Sequence, residues 1–186
     1  LGLVARSQNG RYYDVYRNRL IFPIYNIRDR IIGFGGRTLA NDRAKYINSP
    51  ESEVYHKGSQ LYGLNLIHKE NNRDRIILVE GYMDVIGLRQ SGFKNTVAAL
   101  GTALTDQQVK LASRYAKEVY LSYDSDSAGI KASLRAIESF TDKGIFPKVI
   151  SLEEGLDPDD YIKQYGSEAY EKKIKEADNH IDFQLN

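Results

Sequence analysis

Carboxylates recur in this chain where a short apolar run has just ended. Glu80 follows Ile-Leu-Val, Asp124 and Asp126 follow Val-Tyr-Leu-Ser-Tyr, and Asp157, Asp159 and Asp160 come soon after Val-Ile-Ser-Leu. Strand-like runs that end in acids point to one parallel sheet collecting those acids at the carboxyl ends of its strands, where open α/β sheets bind ligands. The chain has no cysteine, and its three histidines, His56, His68 and His180, lack metal-ligand spacing. An all-oxygen donor set of this kind favours Mg²⁺ or Mn²⁺. Such cations serve phosphoryl chemistry, where they neutralise charge on the reacting phosphates.

Each cluster also has a plainer structural reading. In an extended segment Asp124 and Asp126, two apart, project to one side and can share or bridge cations. The same pair suits a turn former followed by a helix N-cap. Glu80 precedes Gly81, whose missing side chain lets a ligand or the next helix come close; an acid at a helix start is also favoured by the macrodipole. Asp84, one turn on, is either a further ligand or a surface acid. Asp157-Pro158-Asp159-Asp160 is helix-initiation chemistry in its own right, an N-cap followed by proline at the first helical position. Its weight comes from being the third cluster at a strand end.

These acids need elements to present them. Residues 11–39 alternate like β-strands, with Pro23 suggesting an edge strand or bulge. Asp29 belongs in a turn, and Gly33, Gly35 and Gly36 mark a bend or a close backbone approach. Residues 40–58 are polar and loop-like, and 61–71 suit one short helix. From Arg75 the rhythm becomes strand and helix in alternation: a strand over 76–80, a helix over 82–92, and a strand over 95–100. A Thr105/Gln108 capping box opens the next helix. A strand over 118–124 leads to a helix over 128–143 with Ile130, Leu134 and Ile137 on one face. A strand over 146–152 then precedes a helix capped by Asp157. This order predicts an α/β fold, a mostly parallel sheet flanked by helices and preceded by a β-rich basic part.

Charge divides the same way. Residues 1–70 hold 11 Lys/Arg against 6 Asp/Glu, and residues 71–186 hold 15 against 19. A basic part beside an acidic one suits an enzyme that grips polyanions and holds cations. Arg17, Arg19, Arg37, Lys45 and Lys57 punctuate the basic part; Arg37 follows the glycine-rich run, where backbone and guanidinium can meet one phosphate.

With 41% apolar and 27% charged residues the chain has an ordinary globular composition. It has no candidate membrane span or leader and reads as cytoplasmic. Zero cysteines exclude disulfides and zinc ribbons. The start at Leu1 reads as a piece of a longer protein. No dinucleotide fingerprint, P-loop or Gly-x-Ser-x-Gly elbow is present.

The acidic pattern, a glutamate after the first strand and Asp-x-Asp after the third, resembles the TOPRIM fold of bacterial primases, topoisomerases and some nucleases. The strings RNRLIFPI, IGFGGR, KYINSPE, HKGSQLYGL, VEGYMDV, ALGTALT, YDSDSAG and DPDD stand in this order. So ordered, they resemble bacterial DnaG-type DNA primases from about Arg11 to Gly166. The resemblance implies a basic template- and nucleotide-binding part over 1–72, a TOPRIM domain over 73–166, and the start of a C-terminal helical part over 167–186. It implies metal-assisted synthesis of short RNA primers from NTPs on single-stranded DNA, with two or more Mg²⁺ or Mn²⁺ ions and no zinc here. Glu80 falls on the family's general base or metal ligand, Asp124 and Asp126 on its paired metal aspartates, and Asp84, Asp157 and Asp159 on supporting acids. Arg17, Arg19, Arg37, Lys45, Asn48 and Lys57 fall on residues that hold nucleotide or template. The replicative helicase is the implied partner, through a domain outside this chain. Ser125 departs from the family's usual glycine between the two aspartates. The rival expectations are another TOPRIM enzyme of topoisomerase or nuclease type, and a nucleic-acid-binding module without catalysis.

Overall fold

The computed structural model describes residues 2–40, 44–70, 73–101 and 103–185. The chain forms two units, Leu1–Lys57 and Gly58–Asn186. Among the described residues no helix is long and apolar enough to cross a membrane.

The first unit is antiparallel β. β1 (Val4–Arg6) pairs with β2 (Tyr12–Asp14), and β3 (Arg19–Tyr25), β4 (Ile31–Thr38) and β5 (Tyr46–Asn48) form a second sheet in that order. Pro23 sits on edge strand β3, where its missing N–H costs no ladder bond. The ladder shifts register between Ile24 and Tyr25. Asp29, with φ 58°, sits in the turn to β4, which Asn26 fastens by accepting from the N–H groups of Arg28 and Arg30. Of the two readings for the glycines, a bend or a close approach, the bend does not hold, because β4 runs unbroken through them. They serve close approach instead: the Tyr55 ring lies against Gly33 and the Tyr16 ring against Gly36. Of the expected loop over 40–58, residues 46–48 are strand β5, too short to show an alternation, and residues 41–43 lie outside the described ones.

The second unit carries the parallel sheet. Its elements are α1 (Leu64–Glu70), β6 (Arg75–Val79), α2 (Tyr82–Gln90), β7 (Thr96–Ala98), α3 (Asp106–Tyr115), β8 (Glu118–Leu121), α4 (Ser127–Thr141), β9 (Lys148–Val149), α5 (Pro158–Lys175), β10 (Asp178–Asn179) and α6 (His180–Leu185). Strand order is β10-β9-β8-β6-β7; among the described strands only the β9–β10 pair is antiparallel, and an isolated bridge from Tyr62 to Ala98 of β7 is antiparallel too. Ile76, Ile77, Leu78 and Val79 are all buried, as a central parallel strand with both faces covered requires. Each such side chain contributes roughly 1.5–3 kcal/mol of burial.

Leu61, Leu64 and Ile67 pack into this core together with Leu78, Val109 and Phe140. That places residues 58–70 in the second unit, so the division falls at Lys57/Gly58 and not after residue 72. Asn71, the last residue of the expected short helix, lies outside the described ones. The boundary expected at residue 166 coincides with a kink at Gly166, φ 82°. Tyr170 and Ile174 beyond it are buried, so that part of α5 stays in the same unit. On α4 only Ile137 of the three expected core residues is buried; Ile130 and Leu134 are exposed, and Gly129, Ser133, Ala136 and Phe140 make the inner face.

Candidate metal centre

Parallel pairing of β6 with β8 brings the carboxyl ends of both strands to one edge. Because β6 has β7 on one side and β8 on the other, this edge is a topological switch point, where a crevice opens. Glu80 stands there directly after β6. It reaches solvent, yet partial loss of water pushes its pKa up; the Asp124 N–H, 3.4 Å from Oε1, works against this, and the Asp126 charge adds to it. Tyr123, buried beside Glu80, has its hydroxyl pKa raised by burial and by the Glu80 charge.

β8 ends at Leu121, so Asp124 and Asp126 lie in a turn and not in an extended strand. Asp126 N-caps α4, its Oδ1 accepting from the N–H groups of Ala128 at 2.9 Å and Gly129 at 2.8 Å. The turn crosses the first coil of α4 so closely that a Cβ on Gly129 would collide with the Asp124 carbonyl oxygen. Ser125 joins this turn to the next loop. Its hydroxyl lies 2.7 Å from Glu153 O and 3.1 Å from Leu156 O, which share its single proton, and accepts from the Leu156 N–H at 3.0 Å. The departure from glycine therefore ties the Asp124 turn to the segment that delivers Asp157.

Asp157 N-caps α5, accepting from the Asp160 N–H at 2.7 Å, with Pro158 in the first turn. Asp84 is buried on α2 and accepts from the Gly81 N–H at 2.9 Å. Burial, then the charge of Asp157, then those of Asp124 and Asp159 raise its pKa to about 7 against that one hydrogen bond. Asp159 is buried as well and pairs with Lys163 at 2.6 Å. Thus Glu80, Asp84, Asp124, Asp126, Asp157 and Asp159 share one acidic field at the sheet edge. Among the described residues no three acids or histidines close into a ready metal cage. Mg²⁺ does not need one: it retains several waters and binds through one or two carboxylates plus substrate phosphates. Acids gathered at a ligand-binding edge with oxygen donors only, their charges raising the pKa of Glu80 and Asp84, suit such a cation.

The basic residues lie in the first unit. Arg17 is exposed, its guanidinium 5.7 Å from the Tyr13 ring centre. Arg37 and Lys45 each lie 5.9 Å from the Tyr46 ring. Arg19 is committed to structure, donating to the carbonyls of Gly36, Lys45 and Ala44. Asn48 is half-buried on β5. Lys57 is half-buried too, its N–H bonded to Glu51 Oε1 at 2.9 Å. Tyr82 is buried against Tyr62, ring centres 4.8 Å apart.

Sequence reasoning missed Gly87, Ser125 as a link, and Lys163. A glycine inside the helical pattern of α2 was a readable sign of close packing, and Asp159 four residues before Lys163 is a readable ion pair. Nothing local announces the reach of Ser125 across 31 residues to Leu156.

Comparison with known proteins bears on the same segments. Residues 1–68 match the family described as DNA primase catalytic core, N-terminal domain, and residues 77–162 match the Toprim-like family. A DNA primase of Clostridium acetobutylicum is 46% identical over 185 residues, covering 100% of this chain and 31% of the relative. The DNA primase of Escherichia coli K12 is 42% identical over 180 residues, covering 95% and 31%. The chain therefore spans about a third of the curated relatives' length. Among solved structures, the E. coli primase catalytic core superposes with a TM-score of 0.92 at 41% identity, over 99% of this chain and 60% of that one. A DnaG primase catalytic domain bound to single-stranded DNA gives 0.92 at 40%, over 99% and 61%. With an antiparallel β unit over its first 57 residues and acids at the edge of a TOPRIM sheet in the second unit, the chain belongs to the bacterial DnaG-type DNA primase family, as part of its catalytic core.

Proposed function

We propose that this chain carries the nucleotidyl-transfer centre of a DNA primase, which joins ribonucleotides into short RNA primers on a single-stranded DNA template. The acidic field at the ends of β6 and β8 is the observation that carries the reading, since repulsion among these carboxylates is relieved by divalent cations. Glu80, Asp124 and Asp126 would hold Mg²⁺ or Mn²⁺, with Asp84, Asp157 and Asp159 behind them. When bound, the cations supply charge neutralisation of the triphosphate and a lowered pKa for the attacking 3′-hydroxyl.

The chain's own groups do the rest. Glu80, held by the Asp124 N–H and with a raised pKa, is placed to take up the hydroxyl proton where a cation leaves one of its oxygens open. The caps at Asp126 and Asp157 fix the backbone, so the aspartates need little reorganisation when substrate arrives. Arg17, Arg37 and Lys45, with Tyr13 and Tyr46 beside them, suit the phosphates and bases of single-stranded nucleic acid or NTP, and Asn48 and Lys57 add polar contacts. Arg19 serves this surface indirectly, by holding its strands. The relative solved with single-stranded DNA supports that partner. A replicative helicase partner is inferred from the family alone.

Mn²⁺ binding followed by electron paramagnetic resonance, with and without ATP, tests the reading. Binding that tightens with ATP and is lost in Asp124→Asn, while circular dichroism stays native, is the expected result. Native-like Mn²⁺ binding by that variant would move the metal elsewhere. Nucleic-acid binding that persists unchanged under chelation, with no Mn²⁺ bound, would favour a non-catalytic module.

A further inference from the structure

The acidic field contains a cation of its own. Lys163, one turn along α5 from Asp159, places Nζ 2.6 Å from Asp159 Oδ2 and 3.9 Å from Asp160 Oδ1. Two features distinguish it from an ordinary surface pair, which is worth little. The Asp159 side chain is only 7% exposed, and it is pressed onto the backbone of α2. A Cβ on Gly87 would collide with Asp159 Oδ1 and lie 3.0 Å from its Cγ. Asp159 also acts electrostatically on Asp84, as Asp157 and Asp124 do. The lysine itself is 61% exposed, so its ammonium can leave and return without disturbing the core.

We propose that Lys163 is a tethered counter-ion of the carboxylate cluster: it anchors Asp159 against α2 and competes electrostatically with the divalent cation for the same acidic field. The inference rests on the metal-binding reading given above. Asp159 then acts mainly as the lysine's anchor, and the direct oxygen ligands are drawn from Glu80, Asp84, Asp124, Asp126 and Asp157. Lys163 is a positioning residue that sets how much divalent ion the centre needs. Its flexible stem lets the ammonium withdraw as the dication arrives.

The test compares Mn²⁺ titrations of the wild type, Lys163→Met and Lys163→Arg by electron paramagnetic resonance, without nucleotide. Removing a positive charge from the acidic field that holds the dication should tighten binding by about tenfold, and the gap should narrow at high ionic strength. Lys163→Arg keeps the charge and should stay near the wild type. A purely structural prop predicts the opposite sign, because a loosened Asp159 would weaken the centre. Unchanged or weaker binding by Lys163→Met, with the wild type still binding Mn²⁺, overturns the counter-ion role and leaves the metal centre standing. Absence of Mn²⁺ binding in all three proteins sinks both.

Discussion

Replacing Gly129 by alanine sets two opposed effects against each other. Alanine is the better helix former, by up to about 1 kcal/mol in a helix interior and less in a first turn. Its Cβ would strike the Asp124 carbonyl oxygen and stand 2.7 Å from the Asp124 carbonyl carbon and 3.0 Å from its nitrogen. All three are backbone atoms, so no side-chain rotation relieves the contact, and the turn must move. Overpacking of this kind costs about 1–3 kcal/mol. Gly129 also donates to Asp126 Oδ1 at 2.8 Å, and a spoiled N-cap adds about 1 kcal/mol. The balance is a loss of roughly 2–3 kcal/mol, or about 5–10 °C in midpoint for a chain of this size. Because the turn carries Asp124 and Asp126, Mn²⁺ affinity should fall as well. Urea unfolding of Gly129→Ala beside the wild type, with a paired Mn²⁺ titration, reads both. A variant as stable as the wild type with unchanged Mn²⁺ binding would refute the placement of the Asp124 turn across α4.

Three other outcomes are expected. The raised Asp84 pKa, about 7 in the folded chain against 3.8 for an ordinary aspartate, means the native state holds that proton more tightly. In chelator its contribution, on the order of 4 kcal/mol at most, is present below pH ~4 and lost as pH rises through ~7. Asp84→Asn should flatten that slope in urea unfolding at pH 5 and pH 8, and an unaltered slope assigns it to another group. Ser125→Gly removes the hydroxyl's donated and accepted hydrogen bonds to the 153–156 loop. Unfolding should show a loss of about 1–2 kcal/mol, with weaker Mn²⁺ binding, and a neutral change would show the link to be idle. Arg37→Ala should weaken binding of a single-stranded oligonucleotide several-fold by fluorescence anisotropy and reduce its salt dependence, while unchanged affinity removes Arg37 from the surface.

Much of the second unit could be read from residues. The buried run at 76–79, the Thr105 cap and the Asp157-Pro158 start are local signals, and local physics decides them. The acids at strand ends were legible because parallel pairing sends every strand's carboxyl end one way. Other features depend on partners distant in sequence. Strand β5, three residues long, owes its existence to β4 beside it. The inner face of α4 falls on Gly129, Ser133 and Ala136, small residues that hydrophobic patterning passes over, while Ile130 and Leu134 stay outside. Of the two roles weighed for Asp126, the helix cap is the one seen: its Oδ1 caps α4, while its charge reaches Glu80.

The way β6 is flanked also governs how the chain acquires its structure. The hairpin of β3 and β4 closes over a short turn, so its pairing can form by local search. In the second unit, β6 finds β8 only after some 40 residues have been looped out; the Glu80–Asp124 contact spans 44 positions, and the buried Tyr170–Ser122 hydrogen bond spans 48. Contacts of that separation come late and slowly. The first unit should thus gain its strands well before the acidic edge exists. A refolding trace followed by Mn²⁺ capture would lag one followed by strand formation in residues 19–38.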